Sequence, residues 1–131
     1  MDMRIELIAV PVTDVDRARD FYAAIGWNID HDREVDASTR FVQVTPPGSA
    51  CSIAFGRGIT DTEPGSLRGI QLVIADADAA LAMLREKGVD ADGVDDQPWG
   101  RFVTFRDPDG NQYTLQQLPE WSPSYANAPT S

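Results

Sequence analysis

The chain has 131 residues, 42% of them hydrophobic and 24% charged, and a net charge of -10. That length suits one domain, and the lack of Lys/Arg clusters excludes a nucleic-acid-binding or anionic-membrane-binding surface, both of which need positive charge. One cysteine, Cys51, excludes an intrachain disulfide and fits a reducing, cytoplasmic compartment.

The opening MDMRIELIAVPVTD holds an apolar run too short for a signal peptide or a membrane span. It predicts a strand over 5–12, rich in β-branched residues. Thr13 or Asp14 then caps a helix whose apolar stripe is Val15, Ala18, Phe21 or Tyr22, and Ile25. Gly26 stands where a helix end favours left-handed backbone. Strands follow over about 27–33, 39–45 and 50–56. GRGITDTEPGS leads through a linker at 57–67 to a strand over 70–74, a cap at Asp76, a stripe of Ala77, Ala80, Leu81 and Leu84, and a stop at Gly88. Strands over 89–93, 101–106 and 111–117 close the pattern. The tail, 118–131, is rich in Pro, Ser and Asn and reads as extended or partly disordered, with Trp121 and Tyr125 available to dock on the body or on a partner chain.

The pattern repeats. VTDVDRARDFYAAIGW matches IADADAALAMLREKGV with Asp14 on Asp76, Asp16 on Asp78, Ala18 on Ala80 and Gly26 on Gly88, all at an offset of 62. Pro46 and Gly48 match Pro108 and Gly110 at the same offset, in the turns PPGS and DPDG. The fold class is therefore α+β: two tandem βαβββ modules, about 4–56 and 68–117, with curled mixed sheets enclosing a cleft and helices on the outside.

The first-helix string, the aromatic strand in PWGRFVTFRDPDGN and the DPDGN turn (107–111) resemble the vicinal oxygen chelate superfamily, the glyoxalase, bleomycin-resistance and dioxygenase type, over about residues 4–117. The resemblance implies a cleft protein, commonly dimeric, of any of several activities. Its enzymes typically hold a divalent metal through a His, Gln or Glu from the first and last strand of each module. Those positions fall on Leu7, Ser52, Gly69 and Thr114 here. Leu and Gly offer no lone pair, and neutral hydroxyls are poor primary ligands. No metal and no cofactor are therefore expected.

Strand alternation places Ile5, Ala9, Ala50, Ala54, Gln71, Val73, Gln112 and Gln116 on the same side as those four. That set lacks Asp, Glu, His and Lys, so it suits shape and amide hydrogen bonding better than acid–base work. Trp99 and Phe102 are candidate aromatic walls. The expected ligand-binding set is Leu7, Ser52, Gly69, Gln71, Trp99, Phe102, Gln112, Thr114 and Gln116, with no catalytic residue assigned. On the middle strands, Arg40, Val42, Phe102 and Thr104 are expected to share one face. Trp27 reads as core, His31 as a solvated strand residue, Cys51 as a buried inert thiol, and Arg101 and Arg106 as surface groups. Partners are expected to be a small organic ligand and a second copy of the chain.

The Pro-rich tail leaves open an inactive paralogue whose fold serves protein contacts, and two functions directed at a small molecule stand beside it. One is a metal-independent protein that sequesters an organic molecule. The other is an enzyme (lyase, isomerase or dioxygenase-like) acting on a small carbonyl or aromatic compound, with Arg40, Gln71 or Gln116 polarising a carbonyl.

Overall fold

Two aspartates start the two helices. In a computed structural model describing residues 1–130, the Asp14 side chain accepts from the Arg17 N–H at 3.0 Å and opens α1 (Val15–Ala24). Asp76 accepts from the Ala79 N–H at 3.1 Å and opens α2 (Ala77–Glu86). Each such cap contributes about 1 kcal/mol. Of the two candidate caps, Thr13 is turned elsewhere and donates to Asp109 at 2.6 Å. Gly26 (φ 95°) and Gly88 (φ 74°) follow the helix ends, as their left-handed geometry requires.

The chain divides into two compact units: Met1–Leu67 with Pro108–Asn111, and Arg68–Asp107 with the chain from Gln112 onward. The first unit holds β1 (Leu7–Ala9), α1, β2 (Asn28–Asp36), β3 (Thr39–Thr45) and β4 (Ser52–Arg57), in sheet order β1-β4-β3-β2. β1 runs parallel to β4, and the other pairs are antiparallel. The second unit repeats this with β5 (Ile70–Ile74), α2, β6 (Ala91–Gln97), β7 (Gly100–Arg106) and β8 (Gln112–Gln117), in the order β5-β8-β7-β6. The α+β fold of two tandem βαβββ modules thus stands, with each helix covering one face of its own mixed sheet.

In the first unit Val15, Ala18, Tyr22 and Ile25 are buried with Val42, Val44, Ile53 and Phe55. Tyr22 stacks on Trp27 at 5.1 Å and lies 5.6 Å from Phe55. In the second, Ala77, Leu81 and Leu84 are buried with Val103, Phe105, Tyr113 and Leu115, and Phe105 stacks on Tyr113 at 5.0 Å. Each large side chain so buried contributes about 1.5–3 kcal/mol.

Four elements differ from expectation. β1 pairs with β4 only over Leu7–Ala9; soon after, Pro11 has no N–H to give to a ladder. β2 and β6 run further, to Asp36 and Gln97, because their hairpin pairing continues almost to the turn. The tail carries turns rather than a plain extended run: Ser122 N–H donates to Pro119 and a 3-10 turn spans Tyr125–Asn127.

Each unit also ties its helix to its outer strand through an arginine. Arg40 donates to both oxygens of Asp32 at 3.0 Å and to Asp16 at 2.8 Å. Arg101 donates to Asp96 at 2.6 Å and to Asp78 at 2.8 Å. The hydrogen bonds from Arg40 hold the Asp32 carboxyl down at about 2, from an ordinary 3.8. A carboxylate depressed in the folded state adds stability above its unfolded value and loses it as pH falls through the folded one. The stability gap between the wild type and Asp32→Asn is therefore expected to narrow by about 1–2 kcal/mol between pH 5 and pH 2, allowing for solvent screening. Urea unfolding of both proteins at the two pH values checks this; a constant gap would show that the arginine does not hold the carboxylate.

Candidate functional site

The register decides which residues lie on the sheet face turned away from each helix. Directly opposed residues of a ladder point the same way. Val42 pairs with Phe55 and Val44 with Ile53, and these are core residues under α1. The helix-free face of the first sheet therefore carries Leu7 and Ala9, Ser52 and Ala54, and Phe41, Gln43 and Thr45. In the second unit Val103–Leu115 and Phe105–Tyr113 lie under α2, so the helix-free face carries Gln71, Val73, Phe102, Thr104, Gln112, Thr114 and Gln116.

This corrects the expectation for the middle strands. Ala54 and Gln116 are 62 residues apart, but their partners Gln43 and Phe102 are 59 apart. A slip of three is odd, so every side chain of the middle strand changes face between modules. Phe102 and Thr104 look away from the helix, whereas Arg40 and Val42 look toward it. Leu7 pairs with Ser52, but Thr114 pairs with Gln71, 64 residues beyond Leu7. An even slip keeps the face. Gln71 thus takes the place beside Thr114 that the constant offset gave to Gly69, which stands just outside β5 with φ 89°.

The first sheet's candidates are Leu7, 39% exposed, and Ser52, 5% exposed, side by side. Ser52 lies 2.6 Å from the Thr45 hydroxyl, which donates in turn to Asp30, and Asn28 donates to the same carboxylate at 2.7 Å. Thr45, Asp30 and Phe41 were not in the expected set. Antiparallel register was the missing signal, together with a bulge between Ile29 and His31 that resets parity in β2. The face is therefore not free of titratable groups: His31, opposite Gln43, and Asp92, opposite Thr104, lie along the outer strands. Arg106, on the helix-free side, bonds to Asp92 at 3.1 Å.

The second sheet gathers six of the nine expected residues: Gln71, Phe102, Gln112, Thr114 and Gln116 on one face, with Trp99 in the β6–β7 turn, 55% exposed. Gln71 donates to the Gln116 carbonyl at 2.6 Å, and Gln116 donates to the Trp99 backbone oxygen at 3.0 Å. Elsewhere Trp27 is core, Cys51 is half-buried rather than buried, and Trp121 is exposed. Tyr125 joins Ile74, Leu118 and Pro129 around a cavity of about 430 Å³.

Two tandem βαβββ units, each pairing its first and last strand in parallel and leaving one sheet face helix-free, define the class of fold. The glyoxalase/bleomycin resistance protein/dioxygenase superfamily model matches residues 4–115, and the chain belongs to that superfamily. TnmS3, an antibiotic binding protein from Streptomyces sp. CB03234, is 39% identical; the match covers 90% of this chain and 98% of that one, with a TM-score of 0.82. A glyoxalase/bleomycin resistance protein from the same organism is 40% identical over 87% of this chain and 100% of its own, with a TM-score of 0.77. The uncharacterized protein YetH of Bacillus subtilis (strain 168) is 25% identical over 120 residues, 89% of this chain and all of its own.

The superfamily's metal does not fit these residues. Leu7 has no donor atom, the Ser52 hydroxyl is engaged with Thr45, and the Gln71 amide nitrogen with Gln116. One amide oxygen and one threonine hydroxyl are a weak set for a transition metal. Among the described residues no three His, Cys, Asp or Glu side chains come together as a metal site. No helix among them is long and apolar enough to cross a membrane.

Proposed function

We propose that the protein binds and sequesters a small organic molecule without metal, on the helix-free faces of its sheets. The observation that carries this is the residue content of the positions where the superfamily grips a metal: Leu7, Ser52, Gln71 and Thr114 (with Gly69 in the sequence pattern) supply apolar contact and hydrogen bonds but no metal-binding set. The 39% identity to an antibiotic binding protein supports the same reading. Trp99 and Phe102 favour a planar ligand, and the net charge of -10 favours a neutral or cationic one.

The working unit in this reading is a homodimer. Met1, Met3, Ile5 and Leu7 recur at every second position and remain exposed, and β1 is an edge strand of its sheet. The lone cysteine suits a cytoplasmic setting.

Elemental analysis and thermal shift test the reading on one preparation. Metal well below one per chain is expected, together with an upward Tm shift on the order of 10 °C with a planar neutral or cationic organic held near a hundredfold above its Kd. Divalent metals should give no shift, and sedimentation should give the mass of two chains. Tightly bound stoichiometric metal overturns the proposal. Recovery of a chemically altered compound would favour the enzymatic alternative over sequestration.

A further inference from the structure

We infer that Gln71 is the specificity-determining residue of the second sheet, that Gln116 positions both it and Trp99, and that the matching ligand group is a neutral carboxamide or lactam edge on a planar ring. This rests on the proposed binding role of the helix-free face and narrows it to a chemical class.

The hydrogen bonds run in one direction only. The Trp99 backbone oxygen can only accept, so the Gln116 group facing it must be the amide nitrogen, at 3.0 Å. The Gln116 carbonyl then faces Gln71, which must present its own nitrogen, at 2.6 Å. Both amide orientations follow from one main-chain carbonyl. The site is also built sterically. A Cβ at Gly100 would stand 3.2 Å from both Cγ and Nε2 of Gln116, and 2.8 Å from the Gln117 carbonyl. Glycine there leaves the room in which Gln116 lies.

With one N–H of Gln71 committed, its carbonyl oxygen and second N–H remain, on an exposed side chain beside the Thr114 hydroxyl. An adjacent acceptor and donor in one plane are complementary to the same pair on another amide. A carboxylic acid, ionised at neutral pH, would lack the donor and meet a chain of charge -10. An ester or ketone would satisfy only the N–H. Trp99, 55% exposed at the rim, offers the ring that a planar scaffold stacks on.

The test uses 2-naphthamide and methyl 2-naphthoate as matched probes, with the protein labelled for side-chain amide and indole NMR. The wild type should bind the amide on the order of tenfold more tightly than the ester. Gln71→Leu should bring the two within about twofold, because the amide loses both of its hydrogen bonds to that side chain and the ester only one. Gln116→Glu still accepts from Gln71 but cannot donate to Trp99 at neutral pH. It should shift the Trp99 indole resonance and weaken both probes alike, with their ratio kept. A merely structural Gln116 would leave the Trp99 resonance in place. If both probes bind and Gln71→Leu leaves their ratio unchanged, the assignment falls while the binding role stands. If neither probe perturbs the second-sheet residues, the assignment falls together with that face as an aromatic-ligand site.

Discussion

Asn111→Leu is expected to lower the unfolding free energy by about 1–3 kcal/mol, measured by urea denaturation at neutral pH. The side chain is fully buried. Its oxygen accepts from the Leu67 N–H at 3.1 Å, and its nitrogen donates to the Pro11 carbonyl at 2.8 Å. Leucine has nearly the same volume but neither group, so the Leu67 N–H loses this acceptor and the Pro11 carbonyl keeps the longer bond from the Gly65 N–H, at 3.4 Å. Hydrogen bonding lost by a main-chain group away from water costs about 1–3 kcal/mol. A loss below about 1 kcal/mol would show that water or a backbone shift re-satisfies them.

The same turn is held from two further directions. Thr13 donates to Asp109 through its hydroxyl, at 2.6 Å, and through its backbone N–H, at 3.2 Å. Gly65, at φ 81°, brings its backbone so near that an added Cβ would stand 2.2 Å from the Asp109 carbonyl. The DPDGN string carries much of the family resemblance, and its packing supplies a physical reason for that sequence. Residues 108–111 group with the first unit although they follow β7 of the second. The motif's polar side chains satisfy main-chain groups at the end of the first strand and in the linker. They are structural, and no ligand chemistry needs to be assigned to them.

The architecture was legible because local and periodic signals agreed. Asp caps, glycine stops and a 62-residue echo placed both helices and nearly every strand. The residues sharing the helix-free face were legible on β1, β4, β5 and β8, where alternation along each strand sufficed. It was not legible on the middle strands. A constant offset assumes hairpins of equal register, and the pairs Gln43–Ala54 and Phe102–Gln116 show a three-residue difference. Register is a property of two strands and their turn together, so neither strand's own pattern reports it. The Asp30–Thr45–Ser52 hydrogen bonds were hidden for that reason. The Gln71–Gln116–Trp99 series was hidden for another. All three residues were expected at the site, but a link to a backbone carbonyl leaves no trace in residue type.

The first-helix stripe left Phe21 and Tyr22 as alternatives, and the structure decides between them in a way that stability can check. At about 100° per residue, Val15, Ala18, Tyr22 and Ile25 fall within a narrow arc, and Phe21 lies roughly 80° from its centre. Tyr22 is fully buried, stacked on Trp27 at 5.1 Å and 5.6 Å from Phe55, whereas Phe21 meets it edge-on from a half-buried position. Tyr22→Ala should therefore cost about 3–5 kcal/mol, since it opens a cavity among aromatic rings that cannot collapse freely. Phe21→Ala should cost about 1–2 kcal/mol, because part of its ring already meets solvent. Urea titrations of the two variants read the difference through their midpoints. Equal losses would mean that the helix is rotated from the orientation its buried stripe defines, and the parity of the sheet beneath it, with the residues placed on its helix-free face, would need revision with it.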